Sequence, residues 1–291
     1  MPLVDTADLM REASARGSAV GAFNVIHLET AEALAQAAEA AGHGLILQIS
    51  QNCAEYHGGL APIALATLEI ARTSTARLAV HLDHAESADL AREAIDLGFG
   101  SIMFDGALLE YEANVAATTE VARYAHAHGK HIEAELGEIG GKSGAHAFGA
   151  RTDPAEAARF VRETEVDSLA VAVGSSHAMT ERTASVDLEL IARLHEAVPV
   201  PLVLHGSSGV SDASLVAAVR SGMTKINVST HLNRVFTERV REYLAANPAT
   251  VDSRKYLGAG RAALAVEAAR LITLFSLAST SVNATKSGTH E

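Results

Sequence analysis

An α/β fold, a single-domain closed (β/α)₈ barrel of the TIM type, is what this sequence predicts, and three observations carry the expectation. The chain has 291 residues, and barrels of about 250 residues form one domain. Nearly half of the residues are hydrophobic but only 4% are aromatic and none is Trp, so the interior must be filled largely by Ala, Val, Leu and Ile, which suit barrel layers. Short apolar runs alternate with Ala-rich, charge-speckled segments of helical period, the pattern of repeated strand–helix units and a parallel sheet.

Taken in order, the strand runs are Ala19–Val25, Gly44–Ser50, Leu78–Ala85, Ser101–Gly106, His131–Leu136, Ser168–Gly174, Pro201–Gly206 and Lys225–Thr230, each followed by a segment that reads as helix. Eight such units suggest closure rather than an open sheet. Thr152-Asp153-Pro154 sets a capping pair before a proline suited to a first helical turn, and Ser211-Asp212 repeats the cap after the seventh run. Gly98, Gly129 and Gly222 fall where helices should stop on a left-handed residue. Residues 1–275 contain no low-complexity linker and read as one domain. The tail 276–291, rich in Ser, Thr, Asn and Gly, reads as disordered, and the polar, glycine-rich stretch Gly137–Arg151 as a mobile active-site loop.

The formal net charge of -12 argues against a nucleic-acid surface, which needs clustered Lys and Arg, but leaves small anionic substrates open. Cys53 is alone, so no intrachain disulfide forms and a packed thiol is expected. Met1–Arg11 lacks the basic-then-apolar pattern of a secretory signal, and no run of about 18 apolar residues marks a membrane span. A cytoplasmic protein without nucleic-acid or membrane partners is expected.

Chemistry in such barrels sits at the C-terminal ends of the strands, and reactive residues collect there. The third run ends His81-Leu82-Asp83-His84, the fifth holds Glu133-Ala134-Glu135, the sixth leads into Gly174-Ser175-Ser176-His177, and the seventh ends His205-Gly206. His84, His177 and His205 can converge on one zinc ion with a fourth position left for substrate or water. His27, His43, His57, His126, His128, His146, His195, His231 and His290 fall mostly in helices, loops or the tail, where a solvated face is the default. His81 and His84 lie three apart, so strand alternation puts them on opposite faces unless the strand has already ended. Gly206-Ser207-Ser208-Gly209 and Asn227-Val228-Ser229-Thr230 each precede a helix. There, small residues, hydroxyls and a helix N-terminus suit a phosphate group.

On these residues the chain resembles the class II (zinc-dependent) fructose-bisphosphate and tagatose-bisphosphate aldolase family over about Met1 to Ala269. The carriers are Leu78–Ala85, Ile132–Gly141, Leu204–Gly209 and Lys225–Thr230. The resemblance implies a zinc-dependent aldolase cleaving a ketose bisphosphate to dihydroxyacetone phosphate and an aldehyde, with zinc on His84, His177 and His205 and Asp83 exchanging the proton of the C4 hydroxyl. It places Asp105 and Glu135 near an alternative metal position and Asn24 and Ser50 at the substrate mouth. Gly206, Ser207, Ser208, Asn227, Ser229 and Thr230 match the cradle of one phosphate, and Arg254 the residue that holds the distal one. Ser229 in place of Asp makes the tagatose-like branch the closer match. Two departures stand out. Lys142, Ser143 and Gly144 follow the paired glycines where the family carries a loop acid, leaving Glu138 as the candidate substitute. Ala178 replaces the glycine after the zinc histidine, beside the substrate phosphate or a monovalent cation, Na⁺ or K⁺. These departures keep two alternatives in view: an aldolase for a modified, for instance sulfonated, ketose phosphate, and a non-catalytic zinc- and phosphosugar-binding protein. Ala-rich outer helices together with the resemblance suggest a homodimer or homotetramer.

Overall fold

The computed structural model describes residues 3–136, 151–176 and 182–277. The loop expected at Gly137–Arg151 save Arg151 itself, His177 with Ala178, and the tail expected from Ser276 save its first two residues lie outside those residues. The strands are β1 (Val20–Asn24), β2 (Leu45–Ser50), β3 (Leu78–Ala85), β4 (Ser101–Phe104), β5 (His131–Leu136), β6 (Ser168–Val171), β7 (Leu202–Leu204) and β8 (Met223–Val228). Each pairs in parallel with its sequence neighbours, and β8 returns to β1, so the sheet closes into the expected eight-stranded barrel.

Each expected strand run is present, but several are shorter at their C-terminal ends, where the chain leaves the sheet to build loops. Three starts move by one residue and that of β8 by two. The left-handed turn at Gly222 (φ 123°) feeds directly into β8 at Met223, two residues before the expected start. Lys225 therefore lies in the middle of the strand, not at its beginning, and is only 1% exposed.

The surrounding helices are α2 (Leu28–Ala41), α3 (Gln51–Tyr56), α4 (Ala61–Thr73), α5 (Ala88–Leu97), α6 (Tyr111–Ala127), α7 (Pro154–Thr164), α8 (Leu188–Ala197), α9 (Asp212–Arg220), α10 (Thr230–Ala246) and α11 (Ser253–Phe275); α1 (Thr6–Ala15) precedes β1. Their ends follow the local sequence. Asp153 accepts from the N–H groups of Ala155 and Glu156 at 2.9 and 3.0 Å, with Pro154 opening α7. Ser211 accepts from Ser214 N–H at 3.2 Å ahead of α9. Gly98, Gly129 and Gly222 all have positive φ just past a helix, where a side chain would be strained.

Strand alternation sorts the barrel's interior into two apolar clusters. Outward-facing Leu45, Leu47, Leu78, Val80, Leu82, Ile132, Leu169 and Ile226 pack under the helices. Inward-facing Val20, Ala22, Ile46, Ala79, Met103, Ala170 and Val203 fill the lumen, and Leu9, Met10 and Ala13 of α1 close it at the N-terminal end of the strands. A Cβ on Gly44 would lie 2.5 Å from Leu9 Cδ2, so a larger residue there would push the plug's side chain aside. Above this layer the lumen turns polar: Gln48, His81, Asp83, Glu133, Glu135, His205, Lys225 and Asn227 are all buried. No helix among the described residues is long and apolar enough to cross a membrane.

The ring is sealed where the last helix meets the first strand. Ala19 N–H donates to Phe275 carbonyl oxygen at 2.9 Å, and the Phe275 ring stands edge-on to Phe23 at 6.2 Å. Phe275 is 1% exposed, so Phe275→Ala is expected to cost about 3–5 kcal/mol, read as a lowered denaturant midpoint at unchanged m-value.

Candidate active site

The mouth of the barrel is assembled by register. Ser50 lies opposite Asp83, Gln48 opposite both Asn24 and His81. The alternation that turns Leu47, Ile49 and Leu82 outward therefore aims Asn24, Gln48, His81 and Asp83 at the axis. His84 should face away. Instead its φ is 52° and the pairing of β3 with β4 shifts register between Leu82 and Ala85. A non-glycine residue in this region costs about 1–3 kcal/mol. The strained turn brings two consecutive residues, Asp83 and His84, to one cavity.

The two imidazoles from β3 and β7 then meet. His84 Nε2 lies 2.9 Å from His205 Nδ1, with the ring planes near perpendicular. Each far nitrogen is held by a carboxylate: His84 Nδ1 donates to Asp105 Oδ2 at 2.7 Å, and His205 Nε2 to Glu133 Oε1 at 2.9 Å. Those acceptors fix the tautomers, so with both rings neutral the nitrogens that face each other both present lone pairs. Two lone pairs at that distance repel unless positive charge lies beside them. Asp83 Oδ1 is 4.0 Å from His84 Nε2, and Asp83, His84 and His205 offer three ligand atoms within 4.8 Å of one another. His84, Asp105 and Glu135 form a second such group, with Glu135 Oε2 3.8 Å from His84 Nδ1.

Charge within the lumen is ordered by burial and pairing. Burial pushes His205 down, and its hydrogen bond to Glu133 opposes this without overcoming it. Burial would raise Asp83, but His84, His205 and Lys225 hold its carboxyl below the usual range, so it is ionised at neutral pH. Burial likewise opposes ionisation of Glu133, yet Lys225 and His205 hold it well below the ordinary value. Lys225 Nζ donates to Glu133 Oε2 at 2.7 Å and lies 3.3 Å from His81 Nε2. Burial, reinforced by that ammonium, drives His81 down to about 3.

Two residues flank Asp83. Gln48 Nε2 donates to Asp83 Oδ2 and Asn227 Nδ2 to Asp83 Oδ1, each at 3.3 Å. Gln48 also donates to Asn24 Oδ1 at 2.7 Å. The buried Gln48 Oε1 and Asn227 Oδ1 have no hydrogen-bond partner among the described residues, leaving two acceptors beside an anionic carboxylate that call for hydroxyl donors. Ser50 caps α3 through its oxygen at 3.3 Å from Cys53 N, which leaves its proton available.

The residues expected to cradle a phosphate lie where β7, β8 and α10 meet. Gly206 has φ 66°, and a Cβ there would lie 2.6–2.8 Å from the backbone of Ser176; only glycine fits. Ser207 Oγ donates to the Asn227 carbonyl, fastening the loop to β8. Ser208 Oγ accepts from His231 N–H at 3.1 Å and keeps its own proton free to donate. Ser229 and Thr230 form the start of α10. Arg254 is not part of this assembly: its side chain is 89% exposed and pairs with Asp252 at 2.9 Å. His231, expected on a solvated face, is instead largely buried against Glu267 at 2.6 Å. His177 and Ala178 lie outside the described residues, as does Glu138. Gln48 is not singled out by the sequence as a site residue, nor Glu133 given a role; polar residues two apart, Gln48 and Ser50 in β2 and His131, Glu133 and Glu135 in β5, were the available signal.

Comparison with known proteins is consistent in direction. The family model described as fructose-bisphosphate aldolase class-II matches residues 4–280. A Bacillus subtilis protein named "Probable fructose-bisphosphate aldolase" is 37% identical over 269 residues, covering 91% of this chain and 94% of that one. The fructose-bisphosphate aldolase of Geobacillus stearothermophilus is 37% identical over 270 residues, 91% and 93% of the two chains. Among solved structures, the YdjI aldolase of Escherichia coli K12 superposes with a TM-score of 0.83 at 30% identity, over 94% of this chain and 97% of that one.

His81 gives the site a measurable acid sensitivity. Its unfolded value is 6.5 and its folded value about 3, so below 6.5 the unfolded chain binds a proton that the folded one refuses. Its contribution to stability is complete above pH 6.5 and is lost as pH falls towards 3, at up to about 1.4 kcal/mol per pH unit. His81→Gln is expected to flatten the stability–pH curve of metal-free protein in that window by one proton's slope, measured by denaturant titration at a series of pH values.

Proposed function

We propose, for a chain that belongs to the class II fructose-bisphosphate aldolase family, that it cleaves a ketose bisphosphate reversibly to dihydroxyacetone phosphate and an aldehyde, using a zinc ion held by His84, His177 and His205. The observation that carries this reading is the 2.9 Å approach of His84 Nε2 and His205 Nδ1 with a carboxylate behind each ring. Zinc–nitrogen bonds are about 2.0–2.1 Å, so one ion can take both lone pairs at once, and carboxylate-backed imidazoles suit that duty. His177 is the third ligand by family resemblance.

Asp83 is the base. Ionised and buried beside the imidazole pair, it takes the proton of the C4 hydroxyl; the O–H electrons become the new C4 carbonyl bond as C3–C4 breaks, the released pair forms the C2–C3 double bond, and the ketone's π pair moves onto its oxygen. A divalent cation supplies stabilisation of the negative charge that gathers on the ketose oxygens in this step. Gln48 and Asn227 hold one Asp83 oxygen each, and their unfilled acceptors are suited to substrate hydroxyls. The phosphate of the dihydroxyacetone half is assigned to Gly206, Ser208, Ser229, Thr230 and the N-terminus of α10, and the distal phosphate to Arg254. Glu138 is the candidate for returning a proton to C3. Lys225, buried and engaged by Glu133 and His81, is unsuited to Schiff-base formation.

The curated relatives make fructose 1,6-bisphosphate the first substrate to assay, whereas Ser229 favours its C4 epimer, tagatose 1,6-bisphosphate. A panel containing both epimers and sulfonated analogues should show aldehyde release from a ketose bisphosphate; ligand binding without cleavage of any member would reject the catalytic reading. Chelation is expected to abolish turnover, and borohydride with substrate to leave the protein unmodified, a trapped adduct being the contrary result. Asp83→Ala should fold and bind zinc while losing about 10²–10⁴-fold in kcat; unchanged turnover would remove Asp83 from its role.

A further inference from the structure

A buried ion pair crosses the lumen beneath the candidate metal position, and stability does not account for it. Glu133 and Lys225 are each 1% exposed. Removing two charges from water is costly enough that well-packed apolar residues in their place are often equally stable or better. What the pair holds is more informative. Glu133 uses both oxygens: Oε1 accepts from His205 Nε2 at 2.9 Å and Oε2 from Lys225 Nζ at 2.7 Å. Beyond Lys225 the chain of bonds continues. The neutral His81 accepts the ammonium at Nε2 (3.3 Å) and donates from Nδ1 to Ser101 Oγ at 2.7 Å. Ser101 Oγ lies 2.6 Å from Thr6 Oγ1 on α1. One line of hydrogen bonds thus runs from His205 at the mouth to the helix that plugs the opposite end of the barrel.

Glu133 accepts at both oxygens and Lys225 donates to both of its neighbours along this line, and that pattern fixes the proton of His205. With Glu133 ionised and Lys225 supplying its second bond, His205 must carry hydrogen on Nε2, and Nδ1 is the nitrogen turned towards His84. A neutral imidazole free to choose would place either nitrogen there, and rotation about χ2 would exchange them. Asn227 Nδ2, 3.1 Å from His205 Nε2, is itself a donor, so with the Nε2 proton given to Glu133 this contact is no hydrogen bond and the amide donates to Asp83 Oδ1 instead.

Resting on the zinc reading above, we propose that Glu133, clamped by Lys225, is a positioning residue that sets the tautomer and rotamer of His205 so that Nδ1 is the metal-binding atom. The pair acts through His205 and touches no substrate. Replacing it should weaken the metal site even where the barrel itself is unharmed.

The test separates positioning from packing. In Glu133→Leu/Lys225→Met the buried charges disappear together and apolar volume remains, so the melting temperature should stay near that of wild type. Zinc affinity, measured by competition with a chromogenic chelator, should nevertheless fall about 10–100-fold, and dissociation should quicken. A double variant of wild-type stability that holds zinc within threefold of wild type overturns the proposal. Should that variant not fold, the wild-type protein decides alone. Long-range ¹⁵N–¹H spectra of zinc-loaded, ¹⁵N-histidine-labelled protein, with His205 assigned by substitution, should show Nε2 protonated and Nδ1 metal-shifted; the reverse pattern overturns it. Failure of the zinc reading is distinguishable, because wild-type protein would then take up no zinc and His84→Ala would change nothing.

Discussion

Two imidazole nitrogens pressed to 2.9 Å at the barrel mouth are the constraint on which the rest depends. Nothing in packing alone favours that approach, since the carboxylates behind both rings leave lone pairs facing each other. The surrounding charges point the same way. Asp83, Asp105, Glu133 and Glu135 are all buried near the mouth, while Lys225 is the buried ammonium among them. In a medium of low dielectric such an excess of carboxylates is unfavourable until a cation joins it. The site is thus suited to completion by positive charge, and it holds an ionised carboxylate, Asp83, next to where that charge would rest.

The barrel meets this demand by grading its lumen. Ala, Val, Ile and Met fill the lower layer and give it cohesion, with α1 as a plug, and polar residues occupy the layers above. Each strand contributes through the same period of two, which makes the placement of His81, Asp83, Glu133, Glu135 and Lys225 a consequence of pleat rather than of loop conformation. Loop conformation enters at two strained or glycine-dependent points. His84 reaches the cavity through a left-handed backbone, and Gly206 lets the β7 loop pass against Ser176. Both lie at strand ends, where rigid neighbours on either side can hold an unfavourable conformation.

Much of this was legible in the residues. Alternating apolar runs, proline and glycine punctuation and the Asp153 and Ser211 caps follow from local chemistry, and the barrel closes as they imply. His84 and His205 were identifiable because they stand at strand ends in the company of Asp83 and Gly206. Other features depend on tertiary register and could not be read locally. Lys225 looked like a strand start, and only the turn at Gly222 and the pairing with β1 place it mid-strand in the lumen. The left-handed His84 resolves an alternation that sequence left open. Gln48 and Glu133 look like ordinary polar strand residues until Asp83 and His205 are brought to them across three-dimensional space. His231 was misread as solvated because its partner, Glu267, comes from α11, far along the chain.

The proposed zinc ion would sit among these imidazoles. Zinc K-edge X-ray absorption of the zinc-loaded protein tests this placement most directly. The account predicts one equivalent of zinc with nitrogen scatterers at about 2.0–2.1 Å and the outer-shell pattern of at least two histidine rings, lost in His84→Ala. Zinc surrounded by oxygen alone, or a spectrum untouched by that substitution, would contradict it.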